Sequence, residues 1–431
     1  MSHTIASRNN PPAQHGLRFG LVHIVNHDDL LAVYGLAVID DIAAFIDDQF
    51  RMWGRPGPSV SLDGSYIFVD FGEGRAIAAC DQDILAEQIN ALLSFGPFVC
   101  GTDEVFLRVE TTFIQHHDSA PMPERQNSLL PAHSYDLSSG RASDFYGRTA
   151  AYKADMVAAV GLFSQLSARA LVLAFQPVVA AGNNSSVIYW EALLRLETDD
   201  AYAGHSTCTD SIVSLERSGL VSRIDRSVIW TVLALLEEHK GIRVACNISA
   251  RSLQLGCWWR VLFNALRQRP GVASRLVIEI TETSAITHED EAFIILKALK
   301  ALGCKIAIDD FGAGYSTLDF VVRLRPDFIK IDKAYLSSAP GVPSSEPASL
   351  LRNLVQLCKC ICPCVVSEGI ESELHRSEAI EAGAQGLQGY LFGMPHVLPY
   401  WRKVPVVVRD AFEPGHPSHA QREPYPAHAE I

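Results

Sequence analysis

The chain has no apolar run that approaches the ~20 residues of a membrane-spanning helix. Its N-terminus, MSHTIASRNNPPAQ, lacks the apolar core of a secretion signal, so a cytoplasmic location is expected. Positive charge is scarce. The 36 Lys and Arg against 49 Asp and Glu leave a net charge of −13, which disfavours a duplex nucleic acid as partner. A small anionic ligand stays compatible, because a bound cation inverts the local sign. The CxxC pairs of common zinc sites are also missing. Of ten cysteines, Cys358, Cys360, Cys362 and Cys364 instead form one CxCxCxC run. Leu354, Val355 and Leu357 precede it and Val365 and Val366 follow it. The run therefore reads as a helix end passing into a buried strand, with cysteine as a small apolar residue. A metal or redox site is the alternative.

What is present is the composition of a globular protein, 48% hydrophobic and 20% charged over 431 residues. That length suggests two or three domains with ample core. Residues 1–16 read as a disordered tail. Over 17–118, RFGLVHIV, SVSLDGSYIFVDF and VFLRVETTFI read as strands, with LLAVYGLAVIDDIAAFIDDQF and ILAEQINALLSF as amphipathic helices. This order predicts a small α+β module. Residues 119–168 hold a polar, Pro/Ser-rich linker and then a connecting helix. Over 169–405, the apolar segments LVLAFQPVV, VIYWEALLRL, IRVACNIS, RLVIEITET, KIAIDDF, FIKIDK, CVVSEGI and LQGYLFG alternate with helical stretches. That alternation predicts a parallel sheet with crossover helices, closed as an α/β (β/α)8 barrel. Residues 406–431 are rich in Pro and His and read as a disordered tail, with a metal at His416, His419 and His428 as a minor alternative.

The stretch at the centre of the second domain is KIAIDDFGAGYS, Lys305 to Ser316. An apolar strand ends on two adjacent carboxylates, Asp309 and Asp310, before a Gly-rich turn. Adjacent carboxylates at a strand end repel each other, and a cation between them relieves the repulsion. An acidic, solvated loop is the bland alternative. The other predicted strand ends carry Glu191, Asn247, Glu279, Lys330 with Asp332, Glu368 and Gln388. In a barrel these ends converge on one rim, and oxygen ligands in that number suit Mg²⁺ or Mn²⁺.

The motifs AFQPV, EALLR, CNIS, EITET, DDFGAGYS, FIKID, SEGIE and LQGYLFGMP make residues 169–405 resemble an EAL domain, the family of cyclic di-GMP phosphodiesterases. The resemblance implies two Mg²⁺ or Mn²⁺ per site. Glu191, Asn247, Glu279 and Asp309 match the ligands of the first metal. Asp309 also reaches the second, which Asp310 helps to bind. Glu368 and Gln388 match residues that hold the second metal's waters, Glu368 counting as catalytic and Gln388 facing substrate. Lys330 matches the lysine beside the attacking water, with Asp332 its partner in the same strand. Gln176 and Arg195 match contacts to guanine and phosphate. Glu282 matches the anchor of the loop after Asp310. The implied reaction is hydrolysis of cyclic di-GMP to linear pGpG by a homodimer formed through this domain. An inactive cyclic di-GMP receptor or scaffold is the alternative, and a different Mg²⁺ barrel enzyme a third. After EALLR, the stretch ETDDAYAGHSTCTDSIVSLERSGLV departs from the family's Pro-x-x-Phe ending but keeps Glu216, Gly219 and Leu220.

The N-terminal module resembles, more weakly, a degenerate GGDEF domain. Ser65 and Tyr66 stand where that family has its catalytic Asp-Glu, Val25 at the metal-binding aspartate, and Leu31 and Ala32 at the guanine-binding Asn and Asp. No cyclase activity is expected of it. A regulatory role toward the barrel is expected, with an unidentified partner or signal.

Overall fold

The computed structural model describes residues 19–52, 58–71, 82–114, 142–197, 206–281, 286, 288–312, 317–336 and 347–413. Glu282, the loop residues 313–316, the 198–205 stretch after EALLR, the polar linker before residue 142 and the histidines of the C-terminal tail lie outside them. The chain divides into two compact units, Met1–Cys100 with Leu107–Ser139, and Gly101–Phe106 with Gly140–Ile431. The first unit was expected to run unbroken to about residue 118. The short segment Gly101–Phe106 instead belongs with the second, because Phe106 is buried edge-on against Phe163, 5.0 Å between ring centres.

The first unit holds a four-stranded antiparallel sheet in the order Ser59–Asp63, Tyr66–Asp70, Phe19–Ile24, Val109–Ile114. Alternation sets its faces. Val22 and Ile24 of one strand and Ile67 and Val69 of its neighbour point inward. The helix Ala37–Met52 buries Val38, Ile42, Ile46 and Phe50, a strict four-residue spacing. The single apolar helical run read before it is two helices. Gly35, at φ +74°, ends His27–Tyr34, and its N–H bonds to the Leu31 carbonyl. The strand order and the β-α-β-β-α-β succession are those of a ferredoxin-like split βαβ arrangement.

The second unit is a closed barrel of eight strands: β1 Leu171–Ala180, β2 Asn183–Leu196, β3 Val244–Ser249, β4 Leu276–Thr281, β5 Lys305–Phe311, β6 Phe328–Ile331, β7 Cys364–Ser367 and β8 Gly386–Gln388. They pair in sequence from β2 to β8, and β1 closes the ring between β8 and β2. Six junctions are parallel, as expected. The two that involve β1 are antiparallel, contrary to the all-parallel expectation. The reason is the connection. Only residues 181 and 182 separate β1 from β2, enough for a hairpin turn and far too few for a crossover. Helix α1, Ala142–Ser167, leads into β1, and α2, Thr209–Ser218, and α3, Val221–Glu238, join β2 to β3.

The barrel interior is layered. Val178, Tyr189, Ala245, Val277, Ala307, Phe328 and Val366, one from each of β1 to β7, form a dry apolar floor. Two residues further along β2 to β6 stand Glu191, Asn247, Glu279, Asp309 and Lys330. Glu368 follows β7 at the same step, and Gln176 precedes Val178 in the reversed strand. Period-two alternation thus converts an apolar floor into a polar ceiling in one step.

The chain past residue 405 was expected to be a disordered tail, and this is corrected as far as Glu413. Val406–Val407 pairs antiparallel with Leu173 and Val172 of β1. Val408 N–H then bonds to the Leu171 carbonyl at 2.8 Å. Asp410 is buried in an ion pair with Arg223 of α3, itself buried. Arg223 lies 4.2 Å from the Phe163 ring centre. An uncovered β1 edge and a buried arginine both require a partner, and residues 406–413 supply it.

The cysteine run passes from a helix end into a strand as read, although Cys360 is exposed and Cys364 half-buried. Pro347–Lys359 is a helix and Cys364–Ser367 is β7. Cys358 and Cys362 are buried free thiols, pushed by burial up to about 12 and about 11. No metal-ligand group among the described residues includes them.

Candidate active site

Four carboxylates surround one ammonium. Lys330 Nζ lies 2.8 Å from Asp309 Oδ1, 2.8 Å from Glu368 Oε1, 3.1 Å from Glu279 Oε2 and 3.2 Å from Glu191 Oε2. Lys330 is 1% exposed and Glu279 wholly buried. Such a cluster is stable only if its charges and lone pairs are answered. Glu191 is answered best. Its Oε1 accepts from Asn247 Nδ2 at 2.9 Å, and its Oε2 from Gln388 Nε2 at 2.5 Å. Gln388 Nε2 also donates to Gln176 Oε1 at 3.1 Å, and Gln176 Nε2 donates to the Gly393 carbonyl at 3.0 Å.

The ionisation of these groups follows from burial and from one another. Burial opposes the charge on Lys330, but Asp309, Glu191, Glu279 and Glu368 outweigh it and hold its pKa well above the ordinary lysine value. Burial pushes Glu279 up to about 8, with Lys330 opposing and Glu191 and Asp309 adding to the rise. Asp309 is raised and Glu368 strongly raised, by burial first. Glu191 goes the other way. Burial would raise it, but Lys330 and the amides of Gln388 and Asn247 bring it below the usual value. Four carboxylates thus share one ammonium, and the raised groups answer the imbalance by holding protons until a cation takes their place.

Asp310 reaches the site by a backbone irregularity. In a regular strand, adjacent side chains face opposite ways. The pairing of β5 with β6 slips between Ile308 and Phe311, and Asp310 sits at φ +50°, a conformation rare for a residue with a Cβ. The result brings carboxylate oxygens of Asp309, Asp310 and Glu368 within 4.8 Å of one another. Glu191, Glu279 and Asp309 form a second such group, and Asp309 belongs to both. Burial, then Asp309 and Asp332, push Asp310 up to about 6.

The donor set fits hard divalent cations. It consists of carboxylate and amide oxygens, the chemistry of magnesium and manganese sites. Among the described residues, Asn247 Oδ1 and Gln388 Oε1 are buried acceptors with no hydrogen-bond partner, and buried acceptors in folded proteins are normally satisfied. Glu191, Asn247, Glu279 and Asp309 would hold one cation, and Asp309, Asp310 and Glu368 a second.

The remaining candidates lie around this core. Asp332 is half-buried at the end of β6, and its Oδ1 accepts the Ala334 N–H at 2.8 Å. It touches none of the Lys330 partners by hydrogen bond and acts on the site through Asp310. Arg195, near the end of β2, is half-buried, donates to the Leu194 carbonyl and neighbours Cys208, Glu191 and Tyr390. Tyr189 was not singled out from the sequence. Its phenol, wholly buried, neighbours Glu279 and Lys330, and its place two residues before Glu191 was the available signal. Glu216, Asp225 and Ser249 form a buried polar group at the end of β3, two residues beyond Asn247, of which Glu216, and Ser249 within the CNIS motif, drew notice in the sequence.

Fold and site together define a (β/α)8-type barrel with a carboxylate-rich cluster at the C-terminal ends of its parallel strands. The EAL domain family matches residues 161–395, more than half of the chain, and the chain belongs to that family. Among relatives, the bifunctional diguanylate cyclase/cyclic di-GMP phosphodiesterase MucR of Pseudomonas aeruginosa is 32% identical over 237 residues, 53% of this chain and 34% of that protein. The cyclic di-GMP phosphodiesterase PdeR of Escherichia coli is 31% identical over 229 residues, 52% of this chain and 34% of that protein. The chain thus spans about a third of the length of these curated relatives. Among solved structures, the PaMucR phosphodiesterase in complex with c-di-GMP is 31% identical, with a TM-score of 0.49, covering 56% of this chain and 97% of that one.

Proposed function

We propose that this chain is a divalent-metal-dependent phosphodiesterase that hydrolyses cyclic di-GMP to linear pGpG. The observation that carries the reading is the convergence of Glu191, Glu279, Asp309 and Glu368 on Lys330, with Asp310 folded in by the β5 irregularity. The names of relatives such as MucR and PdeR support the choice of substrate. Two Mg²⁺ or Mn²⁺ ions would supply charge neutralisation and water activation. The chain's own groups do the rest. In the net reaction a water oxygen bonds to phosphorus, one phosphorus–O3′ bond breaks, and the water's proton ends on the leaving oxygen. Lys330 Nζ sets charge balance at the reacting centre and aligns the incoming water. Gln388 and Asn247 fix Glu191, so its two oxygens are aimed before substrate arrives. Arg195 and Gln176 engage phosphate and guanine. The apolar floor below Glu191 excludes bulk water and strengthens every charge interaction above it.

The first unit, read as a degenerate GGDEF domain, regulates rather than synthesises. Ser65 lies in a hairpin turn, its carbonyl accepting the Ile24 N–H at 2.7 Å, and Tyr66 opens the strand that follows. Neither offers a carboxylate. Exposed Leu318 and Val322, on the helix Leu318–Leu324 after the β5 loop, fit a homodimer made through the barrel.

The test is incubation of the purified chain with cyclic di-GMP and Mg²⁺ or Mn²⁺, followed by nucleotide chromatography. Linear pGpG is expected, and Asp309→Asn is the control without it. Absence of product from the unaltered chain rejects the reading.

A further inference from the structure

Strand β3 carries Asn247 but is only partly held. Its ladder with β2 ends at Cys246, opposite Ala192. Its ladder with β4 continues to Ser249, opposite Thr281. Asn247 and the residues after it therefore have one unpaired edge, where a strand end is free to fray.

Two buried carboxylates replace the missing neighbour. The Ser249 N–H donates to Asp225 Oδ2 of α3 at 3.0 Å. Ser252 Oγ donates to the same oxygen at 2.5 Å. Ser249 Oγ donates to Glu216 Oε1 of α2 at 2.6 Å. Glu216 and Asp225 are 5% and 6% exposed, and burying two acidic groups near each other is unfavourable. Burial pushes Asp225 up to about 7. A segment that needed only a stable turn could use neutral groups here. The grip falls two residues beyond Asn247, whose amide nitrogen lies 2.9 Å from Glu191 while its buried oxygen has no hydrogen-bond partner among the described residues.

We infer that Asp225 and Glu216 are positioning residues that act through Ser249 to aim Asn247 at the cation site. The inference rests on the reading of that site as a divalent-metal centre. Neither carboxylate belongs to the two oxygen groups of the site. They fix the backbone from which one ligand projects, and partners of ligands contribute ~10-fold or more to metal affinity or activity.

The experiment uses the full chain and compares Asp225→Asn, Glu216→Gln, Ser249→Ala and Ser249→Thr. Mn²⁺ affinity is read by titration calorimetry, kcat and KM with cyclic di-GMP, and Tm in EDTA. The first three variants are expected to bind Mn²⁺ roughly 10-fold more weakly and to lose about 10-fold in kcat. KM should stay within about 2-fold. Ser249→Thr, which restores the hydroxyl, should recover Mn²⁺ affinity. Unchanged Mn²⁺ affinity and kcat with a lowered Tm overturn the inference and leave these groups structural. An unaltered chain that binds Mn²⁺ but forms no pGpG rejects the proposed reaction, while the calorimetry still decides the inference. An unaltered chain that binds no Mn²⁺ rejects both.

Discussion

Lys330 Nζ stands 2.8 Å from Asp309 Oδ1, a buried cation against the one carboxylate that belongs to both oxygen groups. Lys330→Ala removes the only positive charge bonded to that carboxylate among the described residues. Turnover should fall at least ~100-fold, the range for a group acting on proton and charge balance in the reaction. Cyclic di-GMP binding, read by calorimetry, should stay largely intact. The Tm in EDTA should drop as well, because four carboxylates lose their counter-charge. Normal turnover would remove Lys330 from the chemistry.

Glu191→Ala acts by another route. It deletes the acceptor shared by Asn247, Gln388 and Lys330. Mn²⁺ affinity should fall at least ~10-fold, and saturating Mn²⁺ should recover part of the rate. An Mn²⁺ titration that matches the unaltered chain would contradict the ligand assignment.

Chelation gives a test without mutation. EDTA should abolish hydrolysis, and Mg²⁺ or Mn²⁺ should restore it. Ca²⁺ should fail to restore it, because it prefers more ligands at longer distances than a compact carboxylate pair provides. Full activity in EDTA would sink the metal-dependent mechanism.

The first unit has its own test. Given GTP and Mg²⁺, the protein should form no cyclic di-GMP, because Ser65 and Tyr66 offer no carboxylate for a cation. Product on the same chromatogram would overturn the reading of the Asp63–Gly64 hairpin.

Residues 406–413 should matter for stability. Asp410→Ala removes the buried carboxylate that pairs with Arg223, a loss of up to about 3–5 kcal/mol. Tm should fall by roughly 10 °C for a domain of this size. Ending the chain after Pro405 should cost at least as much. A melting curve identical to that of the unaltered chain would show that the ion pair contributes little.

Much of the site was legible because it follows strand period. Each polar residue of the ceiling stands two places from an apolar one of the floor, and that pattern survives in a bare sequence. The direction of β1 was legible too, in the short Ala181–Gly182 turn, but alternation with helices elsewhere suggested a uniform parallel sheet. The 406–413 strap was hidden because Val406, Val407 and Asp410 adjoin a Pro/His-rich tail. Their partners, Leu173 and Arg223, lie far back in the chain, and no local signal records a distant pairing. Asp225 was obscured differently, and Glu216 was legible only as a kept residue of the stretch after EALLR, not as a buried one. Acidic residues on amphipathic helices ordinarily face water, and only the fold turns these two inward. The left-handed turn at Asp310 leaves only a faint trace, since Asp tolerates that conformation better than most residues with a Cβ.

The reversal of β1 has a consequence for where events outside the barrel are felt. In an all-parallel barrel the first strand starts at the face away from the chemistry, so an upstream segment meets the floor first. Here Val172 lies opposite Arg195, and α1 ends at Ser167, five residues before it. Asp155 on α1 holds the Arg217 guanidinium, its Oδ2 accepting from Nε at 3.0 Å, next to Glu216 on α2. The entrance of the chain and the mouth of the site are therefore the same end of the barrel. A twist or tug carried along α1 arrives at Arg195 and Glu216 without crossing the core, and the shortest lever on this barrel is its own leading helix.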